Sequence, residues 1–209
     1  LARKNVEQLI LRLETRVKEA NDRLPPGVPE HSTSILRASL HSMDYRFQTW
    51  VKTTANLKEF KRQLGNIQPF RTNSGQSSSF LSATIGWGEN SLPTRSGSGS
   101  QADPRQIVVI VTDGFQFSWN SIPHGPIDYS VCERIKDRGI TLAVVELRYV
   151  PLEGDGAYNT WVKPVIHKVG PALQQCASQN LYFSADHPDE MERVFNLLEI
   201  GIIQTARLV

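Results

Sequence analysis

The sequence predicts an α/β fold: an open, mostly parallel sheet with one antiparallel edge strand and helices on both faces. Three observations predict it. The run Ile107-Val108-Val109-Ile110-Val111 is unbroken and β-branched, as expected of a central strand buried on both faces of a parallel sheet. A helical segment, Tyr129 to Arg138, follows it and passes through Gly139 into a second apolar run, Ile140 to Leu147, which makes one βαβ unit. Strand-like and helix-like segments alternate along the rest of the chain, and that order implies helices packed on an open sheet.

Taken in order, Val6, Leu9, Ile10, Leu13 and Val17 stand at helical spacing among Lys, Arg and Glu, and predict a first helix with one buried stripe. Leu24-Pro25-Pro26-Gly27 ends it, because proline lacks the next amide donor and pushes the residue before it out of the helical region. Ser34 to Met43 and Tyr45 to Val51 read as two strands joined by a tight turn, hence antiparallel. Asn56 to Ile67 follows as a helix with Leu57, Phe60, Leu64 and Ile67 on one face. Residues Arg71 to Ser79 form a polar loop, and Phe80, Leu81 and Ile85 suggest a helix dipping towards the core. The Gly/Ser-rich stretch Asn90 to Asp103 is expected to be a mobile surface loop. Beyond the βαβ unit, Trp161 to Ala177 reads as a helix broken by Pro164 and Pro171, and Leu181 to Ser184 as a short strand. Met191, Val194, Phe195 and Leu198 mark a final helix whose start suits Asp186 and Pro188.

With 209 residues, 39% hydrophobic and 21% charged, the chain lies in the globular range, and residues 1–209 are expected to form a single domain. A net charge of +2 is spread over mixed signs, and the densest basic stretch, Lys58 to Arg62, contains Glu59 and Phe60. That is a solvated helix face, so nucleic acid is not an expected partner. No apolar run is long enough to span a bilayer, so any membrane attachment is expected through an anchor outside this chain. Cys132 and Cys176 lack the spacing of zinc or thioredoxin-type motifs, and are either one disulfide or two buried thiols.

In an open α/β sheet the working loops lie at the carboxyl ends of the strands, which is where Thr112-Asp113-Gly114 falls. Asp113 is a hard oxygen donor suited to magnesium, manganese or calcium, and it is equally well explained as a turn residue before Gly114. Thr72, in the polar loop Arg71-Thr72-Asn73-Ser74-Gly75, offers a hydroxyl to the same edge. Phe115, Phe117, Trp119 and Ile122 follow within a few residues, and such a group either packs inward or forms an exposed patch. His31, His41, His124, His167 and His187 are scattered without ligand spacing, and no nucleophile, base and orienting acid cluster in sequence.

An amphipathic helix, a strand pair holding Arg37-Ala38-Ser39-Leu40, a helix, a Thr-Asn loop and then Ile-Val-Val-Ile-Val-Thr-Asp-Gly resembles the von Willebrand factor A fold, which is Rossmann-like. The resemblance implies a metal-ion-dependent adhesion site in which Thr72 and Asp113 match the second and third loops. Nothing matches the first loop of pattern Asp-x-Ser-x-Ser, so the first strand and its ligands are expected to lie outside this chain. Mg2+ or Mn2+ is then expected in the intact protein, and weak or no binding by this chain alone, since magnesium wants near-octahedral oxygen coordination. Cys132-Glu133-Arg134-Ile135-Lys136-Asp137-Arg138-Gly139-Ile140, Leu173-Gln174-Gln175-Cys176-Ala177-Ser178, Leu181-Tyr182-Phe183 and the Phe195 helix running to Arg207-Leu208 are similar to the TadG-like proteins of tight-adherence, or Flp, pilus assembly. That resemblance implies a disulfide between Cys132 and Cys176. It also implies a domain on the periplasmic or extracellular face, anchored to the inner membrane by an upstream segment.

The function expected from this reading is non-catalytic: a module whose loop face binds a pilin, another assembly component or a host surface, with Phe115, Phe117 and Trp119 as anchors. A cytosolic A-type accessory subunit of an ATP-driven metal-insertion or remodelling complex is the alternative. A hydrolase using Asp113 as nucleophile or metal ligand is a third.

Overall fold

The computed structural model describes residues 2–27, 35–43, 47–67, 88–116 and 124–206. Helix α1, Ala2–Asp22, buries Leu9, Leu13 and Val17 on one stripe and stops where Leu24 N–H donates to Asn21 O ahead of Pro25. Strands β1, Ala38–Met43, and β2, Phe47–Thr54, pair antiparallel with Met43 opposite Phe47, and register shifts fall between Ala38 and His41. Helix α2, Leu57–Asn66, is capped by the Asn56 side chain, which accepts the Glu59 N–H at 3.3 Å, and buries Leu57, Phe60 and Leu64. Arg3 of α1 donates to Gly65 O and Ile67 O at the carboxyl end of α2, where a cation meets unpaired carbonyls favourably.

The remaining elements build the main sheet. They are β3, Ile107–Thr112; the short pair β4, Phe115–Gln116, and β5, Gly125–Pro126; α3, Ser130–Lys136; β6, Thr141–Leu147; α4, Val169–Cys176; β7, Tyr182–Ala185; and α5, Met191–Ala206. The three parallel strands lie in the order β3-β6-β7. Side chains of β6 alternate between two apolar layers. Leu142 and Val144 join Ile110, Val131, Ile135, Val169 and Leu173 under α3 and α4, and Ala143 and Val145 join Leu9, Leu13, Phe195 and Leu198 under α1 and α5. Each such fully buried Val or Leu contributes about 1.5–3 kcal/mol relative to exposure. Glu199, itself buried on α5, is met by Arg12 of α1 at 2.5 Å.

The strand in the middle is β6, whose residues Leu142 to Val145 are 0% exposed; β3 has one strand neighbour among the described residues and fully buries Ile110 alone. The β-branched run marks a strand of the parallel sheet, as expected. The antiparallel element is present as a separate ribbon, β1-β2, whose hydrogen-bonded partners among the described residues are its own two strands. Residues 35–37 are not extended into β1, and β2 runs on to Thr54.

The Gly/Ser-rich stretch expected to be mobile is tied down by hydrogen bonds. Ser96 N–H donates to Arg138 O, Gly97 N–H to Pro104 O and Ser98 N–H to the Asp103 carboxylate, while Arg105 holds Ser98 O. Glu89, 8% exposed, takes both Arg134 and Arg138 and fixes the start of the stretch to α3. Small polar residues here supply backbone and hydroxyl partners rather than freedom. The helix expected over Trp161 to Ala177 is a wide π turn, Tyr158–Val162, a 3-10 turn, Ile166–Lys168, and then α4. Pro171 does not break α4, because it stands in the first turn, where no intrahelical amide bond is lost. The helix expected around Phe80 to Ile85 lies outside the described residues.

Candidate binding face at the carboxyl edge of the sheet

Thr112-Asp113-Gly114 leaves the carboxyl end of β3 in a turn built from its own side chains. Thr112 Oγ1 accepts the Gly114 N–H at 3.0 Å, and Asp113 Oδ1 accepts the Phe115 N–H at 3.2 Å. Gly114 has φ +72°, and a Cβ there would lie 2.5 Å from Leu173 Cδ1 and 2.6 Å from Val169 Cγ1 of α4. Glycine is thus required twice over, by conformation and by close approach. Turn chemistry at Asp113 is real: one carboxylate oxygen holds the Phe115 N–H.

Asp113 is open to solvent on one side, while surrounding protein shields the carboxylate on the others and raises its pKa above the usual range, against the pull of amide hydrogen bonds. The Tyr149 phenol is raised too, by burial first and then by the carboxylates of Asp113 and Asp155. Across the sheet, Glu146 of β6 stands beside Thr112 in register and is 4% exposed. It accepts the hydroxyl of Tyr182, and it faces Gly170 in the first turn of α4, where a Cβ would lie 3.6 Å from Glu146 Oε2. A helix amino end and a phenol are the groups that make a buried carboxylate tolerable. Tyr182 is pushed up to about 12 by burial and by this bond.

Of the expected anchors, Phe115 is corrected. It is 5% exposed, turned under the edge by Gly114, and meets Tyr149 edge-on at 6.1 Å, so it belongs to the core and is closed to a partner. Phe117, Trp119 and Thr72 lie outside the described residues, and with them the juxtaposition of Thr72 and Asp113. Cys132 of α3 and Cys176 of α4 are bonded, with Cα atoms 5.0 Å apart, and both are fully buried. No group of three or more His, Cys, Asp or Glu side chains able to hold a metal occurs among the described residues. With the Thr112 hydroxyl engaged by Gly114 and one Asp113 oxygen engaged by Phe115, the described residues do not make a divalent-cation shell.

Sequence reasoning missed the connection after β6. Tyr149 meets Phe115 and feels the carboxylates of Asp113 and Asp155, Tyr149 and Tyr158 stack at 5.9 Å, and Trp161 meets the ring of His124 at 4.8 Å. The signal was present in Val150-Pro151-Leu152, an apolar triplet past a strand end.

No protein-family model matches the sequence, and no curated protein matches it at a significant level. Solved structures do. The von Willebrand factor domain of the type V pili tip protein from Porphyromonas gingivalis is similar over 97% of this chain and 90% of its own, at 11% identity and a TM-score of 0.54. Proximal thread matrix protein 1 from the mussel byssus, solved with a zinc-occupied MIDAS motif, is similar over 92% of this chain at 18% identity and a TM-score of 0.52. The chain spans 42% of that mussel protein's length. Together with the parallel sheet and its flanking helices, these likenesses establish the class: the chain has the fold of a von Willebrand factor A-type domain.

Proposed function

We propose that the chain is a non-catalytic protein-binding module of a bacterial cell-envelope pilus system of the tight-adherence, or Flp, type, working on the periplasmic or extracellular side. The observation that carries this is Asp113, a carboxylate fixed by its own turn at the solvent-facing carboxyl edge, where open α/β sheets bind their ligands. The buried Cys132–Cys176 bridge supports export, because disulfides persist in oxidising compartments, and it weighs against the cytosolic accessory subunit. Among the described residues no helix is long and apolar enough to cross a membrane. The pilus tip domain lends the fold and a precedent for such a role. In the intact protein Thr72 and Asp113 would contribute to a metal site only alongside ligands from a first loop.

Retention of pilin or assembly components from envelope extracts on immobilised protein tests this. Asp113→Asn keeps the turn acceptor and removes the charge, so retention should fall while the melting temperature holds. Unchanged retention, or turnover of a phosphoester and ester panel that Asp113→Asn abolishes, would defeat the proposal.

A further inference from the structure

Arg3, Lys4 and Glu7 of α1 line one cleft of about 380 Å³ with Lys61, Leu64 and Gly65 of α2. The cleft is braced by Arg3, whose Nη1 donates to Gly65 O at 2.8 Å and to Ile67 O at 3.0 Å. That holds the guanidinium across the gap between the helices, with Nε and Nη2 bonded to no described residue. Lys61 is half-buried against this wall, and neither it nor the exposed Lys4 has an ion pair or hydrogen bond among the described residues. An ammonium partly withdrawn from water without an acceptor gives up solvation for nothing in return.

The other charges on the two helices do not cancel this one. Glu59 is held by Arg62 at 2.7 Å, Lys58 is exposed and adds to the positive field, and Glu14 lines a separate groove with Ala55 and Leu57. Glu7 alone opposes the three cations inside the cleft, and although it lies within one helical turn of Arg3 and Lys4 it pairs with neither. The lining therefore offers three cationic donors, one carboxylate acceptor and an excess of positive charge. Hydrogen phosphate matches that set: it carries a charge of about −2, its bare oxygens accept from lysine and arginine, and its remaining hydroxyl donates. Sulfate has the same shape and charge but no proton, so it would meet Glu7 acceptor to acceptor.

We propose that the α1–α2 cleft binds a phosphate group that keeps a proton, either hydrogen phosphate or a singly ionised phosphomonoester. Arg3, Lys4 and Lys61 hold its bare oxygens, and Glu7 accepts its hydroxyl. Glu7 then acts as the selecting residue, because it repels an anion of equal charge that has nothing to donate. The site uses none of the residues assigned to the carboxyl edge and stands or falls independently of that reading.

Sodium phosphate, and separately sodium sulfate, titrated at fixed ionic strength near neutral pH and followed by amide NMR shifts, tests this. Phosphate should give saturable shifts centred on the first two turns of α1 and the last two of α2, and sulfate should bind about tenfold more weakly. Lys61→Gln, and Lys4→Gln at an exposed position that folding does not need, should each weaken phosphate about threefold at an unchanged melting temperature. Glu7→Gln supplies an amide donor, so sulfate should gain until the two anions bind alike, a reversal that a merely structural glutamate would not produce. Sulfate bound as tightly as phosphate by the parent protein, shifts centred elsewhere, or phosphate binding untouched in both lysine variants would overturn the site. Vesicles of phosphatidylcholine with phosphatidic acid, a monoester, or with phosphatidylglycerol, a diester without the proton, separate the sources. Co-sedimentation with phosphatidic acid alone, lost in Lys61→Gln, places the group on a lipid headgroup, and free-phosphate shifts without co-sedimentation make it a soluble anion. Equal binding to both vesicles reports charge only and removes the site, as does binding to neither vesicle nor free phosphate.

Discussion

Gly114 and Gly139 share a backbone conformation and differ in surroundings, so alanine at each separates two costs of the same substitution. Both have φ +72°, where an L side chain costs about 1–2 kcal/mol. At Gly139 the nearest atom to a new Cβ is Ser96 Cβ at 3.7 Å, an ordinary contact, so Gly139→Ala should cost that amount and no more. At Gly114 the Cβ would lie 2.5 Å from Leu173 Cδ1 and 2.6 Å from Val169 Cγ1, and those residues are 0% and 1% exposed, with nowhere to retreat. Overpacking of that kind adds about 1–3 kcal/mol, bringing Gly114→Ala to about 2–5 kcal/mol. Urea unfolding reads it as a shift of midpoint at unchanged slope, and each kcal/mol lowers the melting temperature by about 2–4 °C in a chain of this size. Equal losses at the two glycines would refute the claim that α4 closes over the Thr112–Gly114 turn.

Reducing the Cys132–Cys176 bridge, which spans a sequence separation of 44, should cost about 4 kcal/mol in the chain-entropy model, and the unfolded, unreduced protein should show no free thiol on titration. Tyr182 should titrate near 12 in a spectrophotometric pH titration and fall back towards 10 in Glu146→Gln. Because its folded pKa is raised, its contribution to stability is complete below about pH 10 and is lost as the pH rises through about 12. Phe115→Ala should destabilise by about 3–5 kcal/mol as a core truncation, which disqualifies it as a probe of partner binding. Calorimetry with magnesium or manganese should show weak or no binding by this chain, and micromolar affinity would mean that ligands lie elsewhere than Thr72 and Asp113.

Periodicity made α1, α2 and α5 legible, because Leu9, Leu13 and Val17, or Leu57, Phe60 and Leu64, declare a buried stripe without reference to anything else. The β-branched runs made β3 and β6 legible as strands. At the edge itself, Thr-Asp-Gly was readable from local chemistry. Phe115 was misread because its burial depends on where Gly114 aims the chain, a tertiary matter set by Val169 and Leu173 more than fifty positions away. The place of Tyr149 was hidden for the same reason: its neighbours Asp113 and Phe115 come from another strand's end.

Helix α4 touches the Gly114 turn through Val169 and Leu173, faces Glu146 and Tyr182 across Gly170, and ends in the bonded Cys176. Substitutions at any of these positions share neighbours, so their effects should combine non-additively. The consequence is a division of labour under mutation. Exposed positions such as Val150, Leu152 and Trp161 can be varied singly with little effect on the fold, whereas α4 and its contacts must be changed together or left alone. A combinatorial library built on this domain should therefore hold α4 constant and diversify exposed positions.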